Sequence, residues 1–251
     1  MLEYIRNAFL KYQHYVVIIA ISILVGIGIG ASNASQPPFD LLPTMMRGVS
    51  ITIRLTLTAS VLAFIVSLIA GISKLSKNIV IRTITTAYIE VFRGTSVLVQ
   101  LFWIFFVLPR LPLNITISAF EAGVLALGLN VGAYGAEVVR GAVQSVPKGQ
   151  TEAAIALNMS PSLRMRRIIL PQALIRMIPP FGNLLIELLK ATSLVSLITL
   201  SDVTFQTLIL RQSVGRSQEL FLLLLVIYFV IAYPLTMMVR WIENRIQWAK
   251  A

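Results

Sequence analysis

Six apolar runs dominate the chain, at residues 15–31, 48–71, 96–108, 119–139, 179–200 and 220–239. A helix rises about 1.5 Å per residue, so roughly 20 apolar residues cross a hydrocarbon core of about 30 Å. Inside that core every backbone N–H and C=O needs a partner within the protein, and a helix supplies one locally. The runs therefore predict an all-α polytopic membrane protein with about six transmembrane helices. The third run is short, with a more polar helical lead-in from Thr83. The fifth is interrupted by Glu187, Lys190, Thr192 and Ser193. Composition agrees: 57% of residues are hydrophobic and 12% charged, too few charges to coat a soluble globule of 251 residues.

The charge balance, +11 at neutral pH, raises the question of a nucleic-acid partner. The basic residues are scattered between apolar runs and form no basic domain, which excludes that class. With the N-terminus inside, the cytoplasmic segments hold fifteen of the 21 basic residues, against four (Arg47, Arg110, Arg211 and Arg216) in the outer loops. This bias predicts that both termini are cytoplasmic. The first run also has the basic start and small-residue end of a signal peptide. Removing it would break the six-span parity, so a retained helix is expected. There is no cysteine and one histidine, His14, so neither disulfides nor a histidine metal cluster is available. No Gly-Lys dipeptide occurs, so the chain has no phosphate-binding P-loop. No repeat or soluble domain is evident.

Between runs four and five lies TEAAIALNMSPSLRMRRIILPQA, residues 151–173. Residues 148–157 are good helix formers, and Glu152 near their start suits the positive end of a helix dipole. Asn158 stands where this helix must stop, and asparagine tolerates the left-handed conformation of such a turn. Ser160 as N-cap and Pro161 at the first helical position predict a second short helix over 161–168. The segment suits either an amphipathic helix with arginines on anionic lipid or a docking element. Its small apolar face (Ala153, Ala154, Ile155, Leu157) could enter a groove on another protein.

Polar residues within the runs are candidates for a solute path. Asn130, Tyr134 and Glu137 share one helical face, and Gly128, Gly132 and Gly135 allow a helix or ligand to approach closely. The alternative for the polar trio is mutual hydrogen bonding inside the bundle. Glu187 and Lys190, three apart, either pair or, with Thr192 and Ser193, line a cavity at a broken helix. Glu90 and Arg93 have the same spacing and are expected to pair. Tyr15, Trp103, Tyr228, Trp241 and Trp248 are expected at the membrane interfaces.

The spacing Glu152-Ala153-Ala154, three residues, Asn158, nine residues, Ile168-Ile169-Leu170-Pro171 resembles the EAA loop of ATP-binding-cassette importer permeases, whose pattern is EAA-x3-G-x9-I-x-L-P. Asn158 replaces the glycine. The stretch YIEVFRGTSVLVQLFW (88–103) resembles FRGTPLLVQL of the polar amino acid branch, with Ser96 where proline is usual. Residues 119–154 and 187–202 resemble further stretches of that branch, and the likeness spans about 42–240. It implies a five-helix type I importer core from residue 42 onward, preceded by an N-terminal region (1–41) that adds one helix.

The resemblance further implies a permease subunit in a bacterial inner membrane, carrying polar amino acids or related zwitterions such as opines or ectoine. A cytoplasmic ATPase dimer, a second permease copy or sister, and an external solute-binding protein are the implied partners. Lipid surrounds the complex. ATP and magnesium would belong to the ATPase, and this chain would hold no cofactor and catalyse nothing. Glu152 becomes the charged anchor of the coupling helix, Ala153 and Ala154 its close-packing surface, and Asn158 its turn. Ser160 starts the following helix, and Arg164, Arg166 and Arg167 face the ATPase or lipid. The rival readings are an ion-coupled secondary transporter, which needs no docking segment, and a membrane scaffold that binds lipid through 151–173.

Overall fold

The computed structural model describes residues 39–112 and 116–248. The apolar run at 15–31, with His14 and Tyr15, lies outside the described residues. After a short 3-10 turn, helix α1 runs over Leu42–Ser73, α2 over Ile79–Gly94 and α3 over Val97–Phe102. The last continues through a π-helical turn, Trp103–Val107, to Arg110. Next come α4 (Ala119–Gln144), α5 (Lys148–Ala156), α6 (Pro161–Arg164), α7 (Leu170–Ala191), α8 (Val203–Val214) and α9 (Ser217–Trp248).

Helix α1 is built inside out. Its buried stripe, Gly48, Thr52, Leu55, Thr56, Ala59, Ala63, Ser67 and Ala70, recurs every three or four residues and is mostly small. Large apolar side chains such as Leu57, Val61, Phe64, Ile65 and Ile69 point outward. Lipid tails are as apolar as leucine, so helices in a membrane gain by close backbone packing. The partner stripe is on α4. A Cβ on Gly135 would stand 2.0 Å from Ser67 Oγ, and one on Gly71 2.5 Å from Val139 Cβ. The glycines of α4 thus receive a neighbouring helix. The single Ser67 hydroxyl proton is shared between Ala63 O (2.6 Å) and Gly132 O (3.1 Å), so the hydroxyl is satisfied within the seam.

Among the described residues four helices are long and apolar enough to span a membrane, or five if the broken pair α2–α3 counts as one. The break is sharp: α2 and the segment from Val97 to Arg110 are bent by 107°. Helix α4 starts on a reciprocal cap. Glu121 N–H donates to Ser118 Oγ (3.2 Å) and Ser118 N–H to Glu121 Oε2 (2.8 Å).

Two expectations are corrected. The segment 161–168 is no separate helix: α6 passes through a π-helical turn, Met165–Ile169, into α7, and the helical path runs from Pro161 to Ile198. At 38 residues it is roughly 57 Å long, so its first third with Arg164, Arg166 and Arg167 extends beyond a hydrocarbon core. Prolines 171, 179 and 180 remove donors without ending it, Pro171 because it sits in the first turn of α7. Helix α8 was not expected. Asp202 caps its start by accepting from Phe205 N–H (2.8 Å), and Gly215 ends it with φ +75°. Tyr228 is tied into the bundle, its hydroxyl 3.1 Å from Thr204 Oγ1, rather than anchoring at an interface.

Candidate coupling turn and translocation path

On one side of the bundle the chain leaves α4, turns at Pro147 and forms α5. The turn after it closes through Asn158 N–H to Ile155 O (2.8 Å) and Met159 N–H to Ala154 O (3.0 Å). Asn158 adopts φ +56°, the left-handed conformation that glycine takes most readily. Ser160 Oγ accepts from Leu163 N–H (3.4 Å), with Pro161 directly after it. Glu152 is exposed and stands in the second turn of α5, beyond the reach of the dipole contribution expected for it. Ala153 is exposed, but Ala154 is fully buried against the chain's own helices. The outward apolar surface is instead carried by Ile155, 57% exposed, and Leu157, 75% exposed.

This segment is fastened to the span that follows. Gln172 Nε2 donates to Gln150 Oε1 (3.2 Å), and Arg176 donates to Ser145 O and Oγ. Ile169, Ala173 and Met177 of the long helix pack on Val139, Ala142, Val143 and Val146. The Gln150–Gln172 bond thus ties α5 to α7, and α7 is in turn packed on α4. At the same end Glu137 joins two helices, accepting from Lys74 Nζ (2.5 Å) and Arg140 Nε (2.8 Å). Beside it lies a cavity of about 570 Å³ lined by Lys74, Arg82, Arg140, Thr83, Thr86 and Gln144.

Deeper in the bundle the α2–α3 break exposes carbonyls that need donors. Gln100 Nε2 donates to Phe92 O (2.9 Å) and Thr95 Oγ1 (2.7 Å). Asn130 Nδ2 donates to Phe92 O and Gln100 Oε1, both at 3.0 Å. Asn130 is thus committed to holding the bend. Tyr134 is half-exposed, with the Arg93 guanidinium 5.4 Å from its ring centroid. Arg93 does not pair with Glu90, as was expected. Among the described residues the ion pairs are Lys74–Glu137, Arg140–Glu137, Arg216–Asp40 and Arg216–Glu219. Glu187 and Lys190 do not pair either, and both are exposed. Thr192 is buried, its hydroxyl donating to Leu189 O (2.7 Å), and Ser193 donates to Lys190 O (3.0 Å).

Residues 63–248 match the family described as "Binding-protein-dependent transport system inner membrane component". The chain belongs to this family. It is 48% identical over 211 residues to a probable amino-acid ABC transporter permease protein, y4tF, of Sinorhizobium fredii, covering 82% of this chain and 89% of the relative. The L-cystine transport system permease protein TcyB of Bacillus subtilis is 36% identical (83% and 91% covered). The glutamine transport system permease protein GlnP of Escherichia coli is 34% identical (82% and 94%). Among solved structures, an amino acid ABC transporter determined with histidines superposes with a TM-score of 0.75 at 36% identity, covering 81% of this chain and 94% of that one. The MetNI methionine transporter shares the fold, with a TM-score of 0.62 at 19% identity over 82% and 99% of the two chains. This family member is therefore a multi-pass membrane permease subunit of the ABC importer type.

Proposed function

We propose that this permease carries polar amino acids or related zwitterions inward, driven by ATP that a separate cytoplasmic ATPase dimer binds and hydrolyses. A second permease copy or sister and an external solute-binding protein complete the assembly. The α5 turn faces the cytoplasm together with both termini. The observation that carries this reading is the α5 turn: an exposed carboxylate, Glu152, beside Ala153, Ile155 and Leu157, on a helix bonded to the span that follows.

Closure of the ATPase pair pulls on α5. The Gln150–Gln172 bond and the packing beneath Ile169 convey that movement into α7, whose far end carries Glu187, Lys190, Thr192 and Ser193. Glu152 anchors α5 to a basic residue of the ATPase. Asn158 and Ser160 shape the turn, and Arg164 stands at its exit. The relatives named for glutamine and cystine support an amino acid as the solute.

The test is uptake of radiolabelled L-glutamine and L-cystine into liposomes with the partner ATPase and binding protein supplied. Truncating one member of a buried interface charge pair costs about 2–5 kcal/mol. Glu152→Ala is therefore expected to abolish ATP-dependent uptake while the permease stays folded. Uptake indifferent to both ATP and Glu152 would overturn the importer reading and leave 151–173 as a lipid-facing segment.

A further inference from the structure

Arg93 lies at a depth where a cation is expensive. It stacks on Tyr134, which is ten residues from the Gln144 end of α4, roughly 15 Å along the axis. The apolar run of α4 ends at residue 139, with Glu137 and Arg140 paired there, so Tyr134 lies one to two turns inside a hydrocarbon core about 30 Å thick. The preceding residue is pinned at the same level by the Asn130 bond to Phe92 O (3.0 Å), so the position does not depend on side-chain reach. A charge inside the core is costly on insertion. A cation–π contact at an exposed site offsets only a fraction of that cost. Tyr134 thus fixes the orientation of the guanidinium without balancing its charge.

No carboxylate among the described residues balances it either. Glu90 stands one turn earlier on the same helix, exposed, and the two do not pair. A cation and an anion thus stand three residues apart on one helix, both exposed and without a salt bridge between them. Acyl chains do not suit this face, because both charges would then lie in hydrocarbon. It suits a ligand that brings one charge of each sign.

We infer that Arg93 and Glu90 form a clamp for the zwitterionic end of an α-amino acid, with Arg93 receiving the carboxylate and Glu90 the ammonium. The clamp rests on the importer reading above. Guanidinium presents paired N–H donors that match a carboxylate, while Tyr134 holds the plane of the fork. It recognises the end common to all α-amino acids and leaves side-chain selection to other groups along the path. Its position at the α2–α3 break places it where the bend, braced by Asn130 and Gln100, keeps it in register with α4.

The test uses the full complex with ATPase and binding protein in liposomes and radiolabelled L-glutamine as probe. Arg93→Gln is expected to lower ATP-dependent uptake roughly tenfold or more, the loss of a hydrogen-bonded charge. Its thermal midpoint stays at the wild-type value. Glu90→Gln is expected to lower uptake less, and Arg93→Lys to fall between wild type and Arg93→Gln because it keeps the charge and loses the fork. Unchanged uptake in Arg93→Gln overturns the clamp, as does a loss of uptake that merely follows a loss of thermal stability. Where Arg93→Gln does not assemble, Arg93→Lys decides: reduced uptake at wild-type stability supports the clamp, and wild-type uptake overturns it. A wild-type complex without ATP-dependent uptake overturns the importer reading itself.

Discussion

The α1–α4 seam and the turn after α5 use the same kinds of residue, small and short polar ones, to opposite ends. In the seam, two carbonyls share the Ser67 hydroxyl proton and Gly135 accepts Ser67 against its backbone, so the bundle itself uses every group. At the turn, the side chains of Ala153 and Glu152 are exposed, and the Glu152 carboxylate is in no ion pair among the described residues. Closeness of backbones is the product of the first region, and an unfilled surface is the product of the second. Substitutions should therefore damage stability in the seam and transport at the turn.

The strongest way to break the comparison is Gly135→Val. A Cβ there would stand 2.0 Å from Ser67 Oγ, 2.9 Å from Ser67 Cβ and 3.0 Å from the Phe181 ring, so both facing side chains would have to move. Overpacking of this kind costs about 1–3 kcal/mol and can exceed it. The expected outcome is loss of folded permease from detergent extracts, read by fluorescence-detected gel filtration. A variant that still folds and transports would mean the seam is looser than the close approach implies.

Next in size is Asp202, which extends the seam toward the opposite side of the bundle. Its carboxyl is fully buried, and a Cβ on Gly48 would meet the Asp202 carbonyl carbon at 2.5 Å. Burial pushes its pKa up to about 6, against the bonds from Phe205 N–H and the hydroxyls of Thr204 and Tyr228. The folded state therefore holds the proton more tightly than the unfolded one. The contribution is fully present below about pH 4 and is lost as pH rises through about 6. A difference of that size corresponds to about 3 kcal/mol. The thermal midpoint should fall between about pH 4 and 6 and then level off. Asp202→Asn keeps the capping acceptor and should remove the pH dependence. An unchanged pH profile in that variant would assign the titration to another group.

Much of this architecture was legible in local chemistry, and the rest was not for a physical reason. Ser160-Pro161 and the Asn158 turn act over a few residues, so their sequence signals were sufficient. Helix α8 was missed although Asp202 and Gly215 mark both its ends, because a helix of 12 residues carries no spanning run. The long helix through Pro161–Ile198 was divided because three prolines and a basic stretch read as interruptions. Contacts such as Lys74–Glu137 and Asn130–Gln100 join residues 63 and 30 positions apart. Nothing in the spacing of residues announces those partners. The failure of Glu90 and Arg93 to pair is of the same kind, since the fold gave Arg93 a tyrosine from another helix.

Asn130 sharpens the comparison inside the bundle. Its amide donates to Phe92 O and Gln100 Oε1; in Asn130→Leu, Phe92 O keeps the Gln100 amide but Gln100 Oε1 loses its donor. An unsatisfied buried acceptor costs about 1–3 kcal/mol. A lowered thermal midpoint, with uptake falling in proportion to folded protein, is the expected result. Normal stability with lost uptake would instead place Asn130 on the solute.

The smallest effect belongs to Asn158. Its φ of +56° is one that asparagine tolerates and glycine adopts freely. Asn158→Gly removes the mild strain but gives the unfolded chain more freedom to lose, and the two effects oppose one another. Stability should stay within about 0.5 kcal/mol of wild type and uptake should be unchanged. Asn158→Val places a branched side chain in the same conformation and should cost about 1–2 kcal/mol, localised to the turn. The pair of variants separates conformation from contact. If Gly transports and Val does not, the turn needs only its backbone shape. If Gly fails at normal stability, the amide of Asn158 itself touches the partner, and the turn contributes a side chain as well as a bend.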